Sequence, residues 1–232
     1  MRLSGMARSF KNILETEQQK NYTIDEVISQ LVDCEYDDRY NRKMQRLLYA
    51  AKFRNQASIE AVDFTLNRNL DKNMFLRFSD CAWIGQYHNI IFTGPTGTGK
   101  SFLAQALGHQ ACILGYKVKY FNCTKLFKSL KLYHADGTYI KEIDSIANQD
   151  AIIFDDFGLE LLDTQSRLSL LEIIEDRYGK KSTIISSQVP ITKWHEIIGD
   201  STIADAICDR LIHNSTKIQL KGDSVRKNIK KN

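Results

Sequence analysis

Residues 89–108 read NIIFT, GPTGTGKS and FLAQALG in succession: an apolar, β-branched run, eight residues rich in glycine, then a helix-compatible run. A strand that enters a glycine-rich loop opening directly into a helix is the context in which the G-x-x-x-x-G-K-[ST] pattern cradles phosphates. Gly94, Pro95, Thr96, Gly97, Thr98, Gly99, Lys100 and Ser101 fit that pattern, and Phe102 starts the helical run. Each residue type has a reason. Glycines let the backbone turn its N–H groups inward, the helix start adds the positive end of its dipole, lysine reaches the β- and γ-phosphates, and the following hydroxyl ligates magnesium. The expected ligands are a nucleoside triphosphate and Mg2+.

Beyond the loop, further short runs rich in β-branched and aromatic residues alternate with helical patterns: KVKYF at 117–121, AIIFDD at 151–156, STIISS at 182–187 and TKIQL at 216–220. Five strands separated by helical segments predict an α/β fold, a P-loop NTPase with a five-stranded parallel sheet covered by helices on both faces. Only about a dozen residues follow Leu220, so a C-terminal lid domain is expected to be missing. A phosphate loop needs an acid at the tip of a neighbouring strand, and Asp155 is the expected metal-side ligand, acting through water. Strand alternation turns Asp156 the other way, where it could orient or deprotonate the attacking water. If the fourth strand lies between the first and third, Gln188 at its end is placed near the γ-phosphate as a candidate sensor; on spacing alone it is equally a strand-terminal turn residue before Val189-Pro190.

Upstream of residue 85 the pattern is helical. Thr23 and Glu26 make a T-x-x-E capping box, and Val27, Ile28, Leu31, Val32, Tyr36, Tyr40, Met44, Leu47, Leu48 and Ala51 then keep a ~3.6-residue period. This predicts one long amphipathic helix over 24–53, followed by a second helical run over 70–84 that leads into the core through Trp83 and Ile84. The chain is expected to divide accordingly into a helical N-terminal domain at 1–66, a helical connection at 67–88 and a nucleotide-binding core at 89–232.

The 232 residues carry 32 Lys plus Arg against 28 Asp plus Glu, a formal charge of +4, with 43% hydrophobic residues. That composition excludes a disordered, collagenous or disulfide-rich chain, and the length leaves no space for a second large domain. No window approaches the ~18–20 apolar residues of a membrane span, and the opening MRLSGMARSF lacks a secretory core, so a soluble, intracellular protein without a membrane partner is expected. Cys34, Cys81, Cys112, Cys123 and Cys208 are odd in number and form no CxxC pair, predicting reduced and mostly buried thiols. The histidines at 88, 109, 134, 195 and 213 lack metal-ligand spacing, and Trp194-His195-Glu196 reads as the start of a packed helix.

Together, GPTGTGKS, IIFDDFG, STIISSQVP, WHEIIGDSTIADAICDRL and QLKGDSVRK resemble the IstB-like transposition-helper ATPases of the AAA+ superfamily, relatives of the DnaC helicase loaders. The N-terminal part, with its basic helix, Val62-Asp63-Phe64 and Cys81-Ala82-Trp83-Ile84, is similar as well, so the resemblance covers nearly the whole chain. It implies ATP as the nucleotide, a first strand flanked by the fourth and fifth, bacterial origin, and ATP sites between the subunits of a homo-oligomer. Arg210, in Asp209-Arg210-Leu211, matches the arginine finger supplied in trans, and Arg226, in Ser224-Val225-Arg226, matches the second sensor. Asp156 stands where most of the superfamily has glutamate, which predicts slower hydrolysis.

Between Arg39 and Arg54 there are six basic residues and no acidic one; Arg39, Arg42, Lys43 and Arg46, at i, i+3, i+4 and i+7, share a face and could follow a phosphate backbone. A charge run of this kind is otherwise a solvated face. Lys125, Lys128 and Lys131 make a second basic row on a helix after the second strand, in a region that lines bound nucleic acid in the related ATPases. No base-reading signature accompanies either row, so double-stranded DNA would be bound largely without regard to sequence. The implied function is an ATP-dependent helper that assembles on duplex DNA and recruits and stimulates its cognate transposase, hydrolysis then resetting the complex. The nearest alternative is a replicative helicase loader. A small-molecule kinase would need an acceptor subdomain that is not visible, and Asp156 and Arg210 argue against a scaffold that binds ATP without turnover.

Overall fold

The structure, a computed structural model, describes residues 3–16, 22–222 and 224–225. Five strands, β1 (Asn89–Thr93), β2 (Val118–Asn122), β3 (Ala151–Phe157), β4 (Ser182–Ser187) and β5 (Ser215–Gln219), form one parallel sheet in the order β2-β3-β4-β1-β5. The first strand is thus flanked by the fourth and fifth, and β4 lies between β1 and β3. Alternation along the strands feeds two cores. Ile90, Phe92 and Ile153 face one hydrophobic cluster, while Ile91, Ile152 and Phe154 face the other, so the strands are apolar on both sides.

Helix α5 (Lys100–Ile113), which follows the glycine-rich loop, fills the first cluster with Leu103, Ala104, Leu107 and Ala111. The second cluster is built from α6 (Cys123–Asp136), α7 (Tyr139–Ala147), α8 (Thr164–Arg177), α9 (Trp194–Ile198) and α10 (Ser201–Ile212). Trp194 is fully buried there against Phe157, ring centroids 4.7 Å apart, in keeping with a packing role for the start of α9.

Ahead of the sheet stand α1 (Ser4–Glu15) and α2 (Ile24–Ala51). The capping box forms, with the Thr23 N–H donating to Glu26 Oε2 at 2.8 Å. The amphipathic expectation for α2 holds only in part: Leu47, Leu48 and Ala51 pack into the first cluster, but Ile28, Val32, Tyr36 and Tyr40 are exposed. The earlier turns of α2 carry α1 instead, and the buried position between them is a carboxylate. Glu35, 4% exposed, accepts from the Gly5 N–H at 2.8 Å, and a Cβ at Gly5 would come within 2.4 Å of the Cys34 carbonyl oxygen, so the helices cross closely where no side chain intervenes.

The run over 70–84 is not one helix. It divides into α3 (Lys72–Leu76), a 3₁₀ turn at Arg77–Asp80 and α4 (Ala82–Gly85), because Cys81 takes a left-handed φ of 57° and the Asp80 carboxylate accepts from the Ala82 N–H at 2.9 Å. Ala57, Ile59, Val62, Phe75, Trp83 and Ile84 share one cluster with the sheet. A boundary between residues 66 and 67 therefore cuts through a continuous core rather than between two. Among the described residues, no helix is long and apolar enough to cross a membrane.

Candidate functional site

At the C-terminal end of the strands a cleft of about 940 Å³ is lined by the glycine-rich loop, Phe102, Asp156 and Gln188 on one side and by Asp63, Leu66 and Arg68 on the other. The loop is folded on itself: Thr98 Oγ1 donates to the Pro95 carbonyl at 2.9 Å, and Lys100, 6% exposed, donates its ammonium to the same oxygen at 2.8 Å. Gly99 has a φ of +91°, and a Cβ there would lie 2.5 Å from Arg68 Nη1, so this position needs glycine on both counts.

Arg68 was not singled out by sequence, and it braces the loop from the opposite wall of the cleft. Its guanidinium, 5% exposed, donates to the Thr98 carbonyl at 3.3 Å and the Asp63 carbonyl at 2.8 Å, while its Nε is buried without a partner. Burial pushes the guanidinium below its ordinary value. The chain after β5 closes the arrangement, with the Lys221 N–H donating to the Arg68 carbonyl at 3.0 Å and the Val225 N–H to the Gly97 carbonyl at 2.9 Å.

The two acids are aimed by an irregularity as much as by alternation. β3 pairs with β4 through Phe154 opposite Ile185 and then Phe157 opposite Ser187, so one extra residue is inserted at Asp155-Asp156. A bulge of this kind re-aims side chains, and Asp156 takes a left-handed φ of 57°, which aspartate tolerates better than most residues. Asp155 is 1% exposed; its Oδ1 accepts from Ser101 Oγ at 2.7 Å and its Oδ2 from the Tyr120 hydroxyl at 2.8 Å. Burial and the adjacent Asp155 carboxylate push the Tyr120 phenol upward, so it remains a donor. Asp156 lines the cleft, and its Oδ2 accepts from Asn122 Nδ2 at 2.9 Å. Tyr120 and Asn122 alternate on β2. Their proximity to the acids follows from β2 pairing with β3, which composition and spacing do not reveal.

Ser101 and Asp155 present hard oxygen donors side by side. Among the described residues there is no cluster of three His, Cys, Asp or Glu side chains able to hold an ion alone. This donor set fits Mg2+, which keeps most of its shell as water and substrate phosphates and takes one or two protein oxygens.

Gln188 is brought to the loop, its Oε1 accepting from Thr96 Oγ1. Arg210 is not. It lines a different cavity with Tyr87, Asn89, Tyr178, Thr183 and His213, at the N-terminal ends of the strands, and pairs with Glu175 at 3.0 Å. The five residues of β1 alone, at ~3.3 Å each, put roughly 16 Å between that end and the loop. Arg226 lies outside the described residues.

The two basic rows differ from their linear reading. Arg39 pairs with Glu35 at 2.7 Å, and Arg42 pairs with Asp38 at 2.9 Å; Arg8 of α1 also reaches Asp38, at 2.6 Å. Both carboxyls are held below the usual range, Glu35 chiefly by Arg39 and Asp38 chiefly by Arg8. Lys43 and Arg46 are exposed farther along the same helix. On α6, Lys125 and Lys128 are exposed, and Lys131 pairs with Asp163; Lys128, Lys131 and Asp156 line a small shared cavity. Cys81, Cys112, Cys123 and Cys208 are buried, and burial pushes the thiols of Cys81 and Cys112 up to about 12.

A parallel sheet of this order, with a phosphate loop after β1 and paired acids at the tip of β3, defines an ATPase of the AAA+ type. Residues 1–232 match the family described as IstB-like ATP binding protein, and the chain belongs to that family. A relative from Sinorhizobium fredii, provisionally named the insertion sequence ATP-binding protein y4pL, is 43% identical over 228 residues, covering 98% of this chain and 93% of the relative. Among solved structures, the DnaC helicase loader aligns with a TM-score of 0.59 and 21% identity over 71% of this chain and 97% of that one. AMPPCP-bound DnaA from Aquifex aeolicus aligns with a TM-score of 0.63 and 20% identity, over 77% of this chain and 54% of that one. At these identities the structural likenesses carry the fold alone.

Proposed function

We propose that this protein is the ATP-dependent helper of an insertion sequence, assembling on duplex DNA with ATP, recruiting and stimulating a transposase, and resetting by hydrolysis. The whole-chain family match and the name of the Sinorhizobium fredii relative support the insertion-sequence role. In this reading the loop from Gly94 to Ser101 binds the phosphates, Lys100 neutralises the β- and γ-phosphates, and Ser101 with Asp155 holds Mg2+, which offsets charge on the phosphoryl oxygens. Asp156, kept in the cleft by Asn122, orients and deprotonates the attacking water, and Gln188 senses the γ-phosphate. Arg226 is the proposed second sensor.

The observation that carries the assembly step is the place of Arg210. A lone subunit keeps this arginine at the far end of the strands from its own loop, in a partly exposed pair with Glu175. Its guanidinium also donates to the Ala206 carbonyl at 2.8 Å and lies 6.0 Å from the Tyr178 ring centroid, contacts that would have to be exchanged for a neighbouring subunit's phosphates. Lys43, Arg46, Lys125 and Lys128, exposed on two helices, are the proposed duplex contacts, with Arg39, Arg42 and Lys131 contributing once released from their carboxylates. A helicase loader would share the fold, but the family match spans the N-terminal helices as well as the ATPase core.

Light scattering of the purified protein with random-sequence duplex, in ATP, ADP or no nucleotide, tests the proposal. Large particles are expected only with ATP and DNA together, and Lys100→Ala should form none. Absence of growth in the parental protein under every condition would sink the self-assembling helper and turn attention to a protein partner.

A further inference from the structure

We infer that Tyr120 is a positioning residue for the metal-side carboxylate: its hydroxyl fixes Asp155 in the orientation that receives the nucleotide-bound divalent cation. The inference rests on the proposed placement of Asp155 beside Mg2+ and extends it to a residue on a different strand. Both oxygens of Asp155 are engaged, Oδ1 by Ser101 at 2.7 Å and Oδ2 by Tyr120 at 2.8 Å, within a group only 1% exposed. Parallel pairing sets this geometry. Asn122 of β2 stands opposite Asp155 of β3, and Tyr120, two residues earlier on the same face, is long enough to reach the carboxylate from the side away from the loop.

The consequence is directional. A buried carboxylate held at one oxygen can still turn about its terminal bond, whereas donors at both oxygens leave one orientation. The ring of Tyr120 also packs against the first hydrophobic cluster, so its body and its hydroxyl are separable by substitution. Removing an outer partner of a metal-ligating group generally costs ~10–100-fold in metal affinity.

Tyr120→Phe keeps the ring and deletes the hydroxyl. The protein, saturated with a non-hydrolysable ATP analogue, is titrated with Mn2+ in place of Mg2+, and free ion is followed by its electron paramagnetic resonance signal. Nucleotide affinity is measured separately in chelator. Tyr120→Phe should bind Mn2+ ~10-fold more weakly, with metal-free nucleotide affinity unchanged. Asp155→Asn runs alongside and should weaken Mn2+ at least as much. If Asp155→Asn weakens Mn2+ but Tyr120→Phe does not, Tyr120 has no positioning role and the placement of Asp155 stands. If Asp155→Asn itself binds Mn2+ at the parental affinity, the metal-side placement fails and this inference with it. A Tyr120→Phe variant that loses metal-free nucleotide affinity in the same proportion would show a general packing role and overturn the inference.

Discussion

The two ends of the same parallel sheet are built on different terms. At the C-terminal end the phosphate loop, Asp155, Asp156 and Gln188 converge within one chain, tied by Ser101, Thr96, Tyr120 and Asn122. At the N-terminal end Arg210 sits among Tyr87, Asn89, Tyr178 and His213, held by Glu175, the Ala206 carbonyl and the Tyr178 ring. One end gathers its acids around the phosphate loop; the other keeps its cation away from that loop, on partners of its own. The difference separates Arg210 from its own phosphate loop; on the proposed function, the transition-state cation would then come from a second subunit.

The largest effect should come from breaking the second end. Arg210→Ala is expected to bind ATP normally and lose ~10³–10⁵ in turnover, read by phosphate release on DNA. Mixing it with Lys100→Ala, itself inactive, should restore activity, because a Lys100→Ala subunit can lend its arginine to an intact loop. No recovery in a mixture that still forms particles containing both variants would place Arg210 outside the reaction or in its own subunit.

Next in size is the first end. Asp156→Asn should retain ATP and lower hydrolysis ~10²–10⁴-fold, leaving the assembled particle longer-lived. Turnover at the parental rate would remove Asp156 as the water-activating group and leave the comparison resting on Arg210 alone.

The smallest effect separates charges that are occupied from charges that are exposed. Lys43→Ala with Arg46→Ala should flatten the log–log salt dependence of duplex binding by about 1–2, whereas Arg39→Ala with Arg42→Ala should change it less, their guanidinium groups being shared with Glu35 and Asp38. A greater flattening from the second pair would mean that the carboxylates release their arginines on DNA.

Much of this was legible in the residues. The strands at β1 and β4 begin and end where the β-branched runs do, and the loop, its lysine and its hydroxyl sit where the pattern places them. Reading failed where a position depended on a distant partner. The long stripe on α2 is apolar by period, yet Ile28, Val32, Tyr36 and Tyr40 face solvent because only the last turns meet the core. The basic run from Arg39 is partly paired because Glu35 and Asp38, just ahead of it, stand one turn before Arg39 and Arg42 respectively. Tyr120 and Asn122 carried no signal of their own, since a tyrosine and an asparagine at a strand end have many ordinary roles.

What the sequence by itself determined is the local chemistry: a strand, a glycine-rich turn and a helix start that can form only one kind of phosphate cradle, with a pair of acids at a strand tip. The tertiary structure alone decided strand order, the bulge that turns Asp156 into the cleft, the bracing of the loop by Arg68 and the separation of Arg210 from it. The physical reason is range. Backbone conformation and side-chain period are set by neighbours a few residues apart, whereas hydrogen bonds such as Tyr120 to Asp155, 35 residues along the chain, exist only after the sheet has chosen its partners.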